Sequence, residues 1–501
     1  MKKDLLKHSK SELIALLEDK QQVIEKEQQK RADLEQQLAY LKRKLFGQSR
    51  ERFESQDQLQ LPFAVSEELQ EEQADQLVEK IEYTRQKQKK QHPGRAKLPE
   101  NLDVEEIEIY PQGDLSELVC IGKEVTEELE CIPEKFYIKR YIRYKYAPKN
   151  KEGKVIIGAL PERVIDKGIP GVTLLAMLLI NKYADHLPLY RQKQRFTRQG
   201  IQIASSTLEG WTKRALQKLL ILYEYLVEDT RAKGYLQVDE TTIKVMDSAK
   251  KGATHLGYYW VYHNPIDGMV LFDYQPGRSL KASQNILKDF KGYLQTDAYK
   301  VYEFYGKKNT IIPLICWAHA RRGFFEAIPN DKQRAEQAMG FIQQLYQVEQ
   351  QAREQKLDAE QRKHKRLQEA LPVLKTFKKW LDEQLKSTLP KSPIGKAIQY
   401  CLGRWPAFNH YLLDGHLEID NNLVENAIRP VALGRKNYLF AGSHEAAKRA
   451  AAIYSFLAIC KKHQVNEQEW LQYTLQNIMS INHKNIKDLY PQNYKKIKQK
   501  Q

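Results

Sequence analysis

The spacing of apolar and polar residues divides the chain into helical, polar and strand-rich stretches. Between residues 5 and 46, apolar residues occupy two seven-residue rows that are interrupted by Lys20, Glu27 and Arg31. This spacing predicts a short, imperfect coiled coil that dimerises, with a solitary helix packed on the body as the alternative. The two rows consist of Leu13, Leu34 and Leu41, and of Leu17, Ile24, Leu38 and Leu45.

Two segments of weaker periodicity follow. Residues 54–97 are rich in Gln, Glu and Lys, acidic first and basic later, which predicts a charged linker whose basic end can lie along a phosphate backbone. Residues 98–168 contain short alternating runs of Val, Ile, Tyr and Glu, which are typical of a small β-rich module. In its run KFYIKRYIRYKY, a strand can present Lys139, Arg140 and Arg143 to phosphates, and a solvated strand face is the alternative.

Residues 169–229 have helical spacing. Gly200 separates two helical runs, and Ser206 and Glu209 have the S-x-x-E spacing of a capping box. A helix, a glycine turn and a capped helix with basic residues nearby predict a helix-turn-helix, with an ordinary helical hairpin as the alternative. The apolar face of the second helix consists of Leu208, Trp211, Ala215, Leu219 and Leu222.

From residue 234 onward, the pattern predicts three strands, a helix and a fourth strand, then a charged helical stretch at 331–404. This order is that of a ribonuclease-H-like fold with a helical insertion. We therefore expect an α/β protein whose ribonuclease-H-like catalytic core is preceded by a coiled-coil helix, a β-rich module and a helical DNA-binding region. The predicted domains are 1–53 (coiled coil), 54–97 (linker), 98–168 (β-rich module), 169–229 (helical region), 230–330 (first part of the core), 331–410 (insertion), 411–480 (second part of the core) and 481–501 (basic tail).

Composition narrows the possible partners. The 501 residues include 81 Lys and Arg but 64 Asp and Glu, which gives a net charge of +17. This excess favours an acidic polymer as partner, with a merely basic globular protein as the alternative.

The longest apolar run, Val172–Ile180, is well short of the roughly 20 residues that a membrane span needs. Five cysteines without a CxxC pair and an N-terminus without a secretory signal predict a location in a reducing cytoplasm.

Three acidic residues carry the candidate chemistry. Asp239 and Asp297 each close an apolar run that predicts a strand, and Glu425 follows the capping-type residues 420–422 at the start of a helical pattern. Two strand-end carboxylates and one helical carboxylate are suited to hold two Mg²⁺ ions about 3.5–4 Å apart for phosphoryl transfer on nucleic acid, and Mn²⁺ can replace them. In this arrangement Asp239 bridges both ions. Each acid taken singly has a turn or surface role as its alternative.

Other residues near these acids are candidates for supporting roles. Glu240 is expected on the opposite face of its strand from Asp239, and Asp247, Asp273 and Glu418 are alternative acids. Helical spacing places Asn421 and Asn422 near Glu425 as possible active-site support. Arg429, Arg435 and Lys436 are candidates to bind DNA phosphates, with structural ion pairs as the alternative.

The CWAHARR run adds a further group. Cys316 and His319 have C-x-x-H spacing, but two ligands do not make a zinc site, so we expect them to support the active site or to pack in the core. Arg321 and Arg322 follow directly and are expected near DNA.

These motifs resemble those of a known family. VDETTIKVM, WVYHN, LQTDAYKVY, CWAHARRGFFE and especially LEIDNNLVENAIRPVALGRKNYLFAGS are similar to the catalytic core of transposases of insertion-sequence family sixty-six. The resemblance includes the upstream segments LKRKLFGQSRERF, KLPENL, IGKEVTEELE, KYADHLPLYRQKQRFTRQG and SSTLEGW, and thus covers nearly the whole chain. It implies a DDE transposase in which Asp239, Asp297 and Glu425 match the catalytic triad. It also implies a bacterial cytoplasmic location, associated with the nucleoid when DNA is bound.

The resemblance has one departure. Family members often carry a cysteine-rich zinc-binding module before the KYADHLPLYR segment, whereas LSELVCIGKE here retains only Cys120 and KYAPKNKEGKV has no cysteine. Zinc is therefore not expected, although the β-rich scaffold can persist as a degenerate form of that module.

The resemblance and the residues together predict a transposase that cleaves DNA at the ends of its element and joins them to target DNA. The expected partners are the terminal repeats, target DNA, further copies of the chain in at least a dimer and accessory proteins encoded by the element. A hydrolytic nuclease of the same fold is one alternative. A catalytically inactive DNA-binding or assembly protein derived from a transposase is the other.

Overall fold

The computed structural model describes residues 136–139, 145–146, 156–157, 162–165, 168–246 and 252–498. The chain divides into two compact units, 1–158 and 159–501. In the first unit, strand β1 (Lys145–Tyr146) pairs antiparallel with strand β2 (Ile156–Ile157). The predicted coiled coil and linker, and the residues Arg140, Arg143 and Asp247, lie outside the described residues.

Three helices open the second unit: α1 (Val172–Tyr183), α2 (Leu189–Arg198) and α3 (Ser205–Arg231). The turn between α2 and α3 contains Gly200, whose φ of 78° is readily adopted only by glycine. The apolar face predicted for α3 is buried, which confirms that part of the sequence pattern.

The predicted capping box at the start of α3 is wrong. The N-cap residue is Ala204, which makes no side-chain cap hydrogen bond. Ser206 therefore lies within the first turn. From there its hydroxyl is not in the N-cap position, from which a side chain accepts a hydrogen bond from a backbone N–H of the first turn. The burial of Leu208 and Trp211 accompanies a start two residues earlier than the polar pattern indicates.

The centre of the second unit is a five-stranded mixed sheet. Its order is β5-β4-β3-β6-β7, in which β3, β4 and β5 pair antiparallel while β3, β6 and β7 pair parallel. The predicted succession of three strands, a helix and a fourth strand is present, followed by a fifth strand. The elements are β3 (Tyr235–Met246), β4 (Thr254–Asn264), β5 (Met269–Gln275), α4 (Leu280–Leu287), β6 (Gly292–Thr296), α5 (Lys300–Gly306) and β7 (Ile311–Ile315).

Strand β3 extends well beyond the position predicted for its end. Asp239 is its fifth residue, and pairing with β4 continues from Gln237 opposite His263 to Met246 opposite Thr254. The prediction that Asp239 closes the strand is therefore wrong, whereas Asp297 does follow directly after the last residue of β6. The strand continues because its polar stretch still alternates with buried residues and so fits a half-buried sheet.

Helices surround the sheet. The sequence between β7 and residue 421 forms α6 and then a group called here the intervening helices, α7 to α11. Their ranges are α6 (Trp317–Ala327), α7 (Lys332–Glu354), α8 (Ala359–Lys365), a π-helical turn (Arg366–Ala370), α9 (Leu371–Lys386), α10 (Pro393–Leu402) and α11 (Trp405–Asn409), with a 3₁₀ turn at His410–Leu412. Trp317, Phe324 and Phe377 belong to one buried cluster that joins these helices to β7.

Four further helices complete the described chain. They are α12 (Asn422–Tyr438), α13 (His444–His463), α14 (Glu467–Asn477) and α15 (Pro491–Lys498), with a 3₁₀ turn at His483–Leu489. Helix α13 lies against β4 and β5, where the Ser455 hydroxyl accepts a hydrogen bond from the Phe272 backbone N–H at 2.8 Å. Within the described ranges, no helix is long and apolar enough to cross a membrane.

Candidate active site

Two of the predicted acids come together through the register of parallel strands. Gln237 of β3 pairs with Gln295 of β6, so that Asp239 and Asp297 each lie two residues beyond the same rung. The Asp297 carboxylate accepts a hydrogen bond from the Tyr299 N–H at 2.9 Å. Parallel pairing thus carries both carboxylates to the same edge of the sheet.

The two buried glutamines fasten a third chain segment to this edge. The Gln237 amide donates to the Gln295 side chain at 2.9 Å and to the Asp420 carbonyl at 2.8 Å. The Gln295 amide donates to the Glu418 carbonyl at 2.8 Å. Our sequence reasoning missed both glutamines, although the same four letters, GYLQ, stand before each strand acid and mark the shared position.

The segment held in this way leads into α12, which carries Glu425 in its first turn. Just before the helix, the Ile419 carbonyl accepts from the Trp317 N–H at 3.2 Å. Just after the helix, Ala441 exchanges backbone hydrogen bonds with β3, donating to Lys244 and accepting from Met246, both at 2.8 Å. Both ends of α12 are therefore anchored, the first beside α6 and the second on β3.

The electrostatics of Asp239 show that the three acids interact. Burial is the main reason that the pKa of Asp239 is raised to about 8. The charges of Glu240, Asp297 and Glu425 raise it further, whereas the hydrogen bond from the Glu240 N–H, at 2.8 Å, lowers it. The site therefore concentrates negative charge that a proton or a cation would offset.

Among the residues that the structure describes, no three His, Cys, Asp or Glu side chains are grouped closely enough to hold a metal ion. What the fold provides is a set of three carboxylates from β3, the end of β6 and α12.

The CWAHARR residues lie beside this set. Cys316 is fully buried, and burial raises the pKa of its thiol well above the ordinary value, which does not suit a thiolate ligand. Its sulfur instead accepts a hydrogen bond from the Asn421 N–H at 3.4 Å, at the N-cap of α12. His319 Nε2 lies 3.9 Å from a Glu425 carboxylate oxygen. Both residues thus stand next to the start of α12.

The two asparagines differ in their surroundings. Asn421 is completely buried, and neither polar atom of its side chain has a hydrogen-bond partner within the described ranges. The Asn422 side chain donates to an Asp420 carboxylate oxygen at 2.9 Å, and the Tyr346 hydroxyl of α7 donates to the same oxygen at 2.8 Å. The Asp420 carboxylate therefore organises the first turn of α12.

The predicted DNA-binding residues occupy several positions. Arg321 and Arg322 are partly buried on α6, while Arg429 and Lys436 are exposed on α12. Arg435 is instead engaged within the protein, since its guanidinium donates to the Thr242 hydroxyl at 2.7 Å and to the Thr242 carbonyl. In the first unit, Lys139 is exposed.

The alternative acids have other partners. Glu240 accepts hydrogen bonds from Arg278 and, at 2.7 Å, from the Tyr302 hydroxyl. Asp273 accepts from the amides of Gln275 at 2.9 Å and Asn285 at 3.2 Å. The Glu418 carboxylate accepts from Arg362 through both oxygens at 3.0 Å. Each of these carboxylates is thus held by neighbouring side chains.

Three family models match the chain in succession. The model described as "Transposase C of IS166 homeodomain" matches residues 33–107, and "zinc-finger binding domain of transposase IS66" matches residues 111–147. The model "Transposase IS66 family" matches residues 167–449. The homeodomain description is consistent with DNA binding.

Relatives are found in Sinorhizobium fredii strain NBRC 101917 / NGR234. "Uncharacterized protein y4qI" is 33% identical over 377 residues, covering 72% of this chain and 69% of the relative. "Uncharacterized protein y4jD" is 30% identical over 421 residues (79% and 81%), and "Uncharacterized protein y4hP" is 29% identical over 492 residues (92% and 89%). No solved structure is a significant match.

The zinc-finger match corrects one prediction. We expected no zinc because LSELVCIGKE retains only Cys120 and KYAPKNKEGKV has no cysteine, yet residues 111–147 match the zinc-finger binding domain of the family. The cysteine count considers only a few positions, whereas the family match rests on the sequence of the whole segment. Mg²⁺, predicted alongside, is not shown by the structure or by these matches.

The match to the largest of the three models extends over more than half of the 501 residues and includes Asp239, Asp297 and Glu425. Together with the flanking matches and the relatives of at least 29% identity, it accounts for the motifs around each of the three acids. The chain therefore belongs to the IS66 family of transposases.

Proposed function

We propose that the chain is a DDE transposase that cleaves DNA at the ends of its element and joins those ends to target DNA in a metal-dependent reaction. The observation that carries this proposal is the strand register that brings Asp239 and Asp297 to one edge of the sheet, where Gln237 and Gln295 hold the segment that leads to Glu425. These acids come from two parallel strands and one helix, and each is the family-motif residue assigned to the triad.

The sheet supports a ribonuclease-H-like core. Three antiparallel strands followed by two parallel ones, with β3 at the centre, form the order that such a core requires. In this arrangement Asp239 occupies the central strand and Asp297 follows its parallel neighbour. The intervening helices then form the insertion, and α12 returns Glu425 to the sheet.

The carboxylates suit divalent cations. Carboxylate oxygens are the ligands that hard divalent ions prefer, and positive charge would offset the burial and the neighbouring negative charges that raise the pKa of Asp239. Asp239, Asp297 and Glu425 would hold such ions. When bound, divalent ions activate a water or hydroxyl nucleophile and stabilise charge on the reacting phosphate.

The chain's own residues would position the DNA around this centre. His319, next to Glu425, can orient that carboxylate. The exposed side chains of Arg429 and Lys436 lie on the helix that carries Glu425, and they are suited to bind backbone phosphates. The regions before residue 167 would supply further DNA contacts and self-association, in keeping with the family domains they match.

The decisive experiment compares Asp239→Asn, Asp297→Asn and Glu425→Gln with the unaltered protein. Each substitution keeps side-chain size and removes a charge, so each should abolish cleavage and strand transfer while DNA-end binding persists. The assay uses purified full-length protein, Mg²⁺ and DNA carrying the ends of its own element. Asp289→Asn, which alters an exposed acid between α4 and β6, is the matched control and should remain active.

The same assay separates the alternatives. A nuclease would cut the DNA without joining it to target DNA. An inactive assembly protein would bind the ends and cut nothing. Retention of strand transfer by all three triad variants would show that the proposed chemistry is wrong.

A further inference from the structure

We propose that Arg278 binds a backbone phosphate of the DNA beside the acidic cluster, and that Glu240 and Tyr299 hold its guanidinium in place for this contact. The inference rests on the proposed function, because the phosphate belongs to the DNA on which Asp239, Asp297 and Glu425 would act. Sequence reasoning did not single out Arg278.

The position of Arg278 is fixed from two sides. Its Nε and Nη2 atoms both donate to one carboxylate oxygen of Glu240, and the Glu240 side chain is only 2% exposed. The guanidinium carbon also lies 3.8 Å from the centre of the Tyr299 ring, which is a cation–π contact. The guanidinium therefore has little freedom to rotate.

Both holding residues are attached to the candidate catalytic acids. Glu240 directly follows Asp239 in β3, and the Tyr299 backbone N–H donates to the Asp297 carboxylate. Arg278 thus contacts Glu240, which follows Asp239, and Tyr299, which donates to Asp297, so its charge lies beside the cluster.

A comparison with a buried arginine indicates that Arg278 has donors to spare. Arg366 is completely buried and uses Nε, Nη1 and Nη2 to bind Glu349 and three backbone carbonyls. The Arg278 side chain is 39% exposed, and within the described ranges its Nη1 makes no hydrogen bond. A purely structural ion pair has no need of an exposed, pre-oriented donor.

The ligand chemistry follows from charge and shape. A guanidinium presents paired N–H donors that match the oxygens of a phosphate, and it stays charged at all working pH values. Three acids, Asp239, Asp297 and Glu425, would repel a DNA phosphate that approaches this edge, whereas the buried Glu240 is already paired with Arg278. A fixed cation at the rim offsets that repulsion for the phosphates that flank the reacting one.

The test measures DNA binding rather than cleavage. Fluorescent duplexes from the end of the protein's own element are prepared, each with one phosphate replaced by an uncharged methylphosphonate. With full-length wild-type protein, at least one replacement near the cleavage position should weaken binding about tenfold or more, the size of a hydrogen bond to a charged group. With Arg278→Gln the same replacement should cause no further loss.

Two controls separate binding from folding. Arg334→Gln removes an arginine of similar exposure (32%) that pairs with Asp331 in the intervening helices, and it should keep the wild-type methylphosphonate pattern. Arg278→Gln alone leaves Glu240 buried without its cation, so it should also lower the thermal midpoint. The double variant Glu240→Gln with Arg278→Gln should recover that midpoint without recovering DNA affinity.

The outcomes bear on the two proposals separately. If the double variant regains wild-type affinity, or if Arg278→Gln keeps the wild-type methylphosphonate pattern, Arg278 serves only to neutralise Glu240 and the inference is overturned. If the pattern is lost as expected but the triad variants still join strands, the proposed chemistry fails while the Arg278 contact stands.

Discussion

Replacing Arg366 by Met should test how the intervening helices support the chain segment that leads to Glu425. Arg366 lies in the π-helical turn between α8 and α9 and is completely buried. It donates to Glu349 of α7 at 2.7 and 2.9 Å. It also donates to the carbonyls of Tyr411, Asp414 and Leu417 at 2.8, 3.0 and 2.7 Å.

The size of the effect follows from this burial. Removing one partner of a buried ion pair costs about 3–5 kcal/mol. In Arg366→Met, buried Glu349 would keep only Arg362 as its cation, and three backbone carbonyls would lose their donor. The second unit has about 340 residues, so its unfolding entropy at the midpoint is about 0.7 kcal/mol/K. The thermal midpoint of Arg366→Met should therefore fall by about 4–7 °C.

The pH dependence gives a second signature. Burial alone would raise the pKa of Glu349, but the hydrogen bonds and charges of Arg366 and Arg362 bring the pKa below its ordinary value. The folded-state pKa of Glu349 lies below its unfolded-state value of about 4.3. The stability that the ionised Glu349 contributes is therefore fully present above the unfolded-state pKa, and it is lost as the pH falls through the folded-state pKa. The difference in midpoint between wild type and Arg366→Met should narrow in acid.

Differential scanning fluorimetry at several pH values measures both effects. The double variant Glu349→Met with Arg366→Met removes both charges, while Arg362 keeps its bonds to Glu418. The thermal midpoint of the double variant should therefore fall by much less than the summed decreases of the two single variants. Additive losses, or a midpoint for Arg366→Met within about 1 °C of wild type, would refute this reasoning.

Two more predictions concern single contacts. Tyr400→Phe removes the hydrogen bond from the Tyr400 hydroxyl to the Asp297 carbonyl at 3.2 Å, so DNA cleavage should fall several-fold while the thermal midpoint changes little. Gly292→Ala should lower the midpoint strongly or prevent folding, because Gly292 has a φ of 120° and an added Cβ would lie 2.1 Å from the Gly234 carbonyl oxygen. Gly340→Ala, where a Cβ has open space, should leave folding intact, and a similar loss in both variants would contradict the steric explanation.

Local patterns in the sequence were enough to predict much of the framework. Alternating residues indicated the strands of the sheet, and the run after LEIDNN indicated a helix with Glu425 near its start, which is where α12 begins. These predictions succeed because periodicity reports which face of an element is buried. Family motifs then indicated the transposase family, which the matches confirm.

Local patterns failed where a boundary depended on distant neighbours. Strand β3 passes Asp239 because β4 pairs with it as far as Met246, and α3 begins before the predicted capping box. Hydrogen-bonding residues near an element's end indicate where it can stop, but pairing and packing decide where it does stop. The expectation about zinc failed for a related reason, since it weighed cysteines alone.

The tertiary structure alone decided how polar groups meet at the candidate site. Gln237 reaches the carbonyl of Asp420, which lies 183 residues further along the chain, and Arg278 reaches Glu240 across 38 residues. Most buried polar side chains find a hydrogen-bond partner, but periodicity says only that the side chain is buried and not which group lies opposite. That partner is fixed by strand register and by the crossing of helices over the sheet, which is why the sequence indicated the three acids while only the fold revealed the residues that hold them.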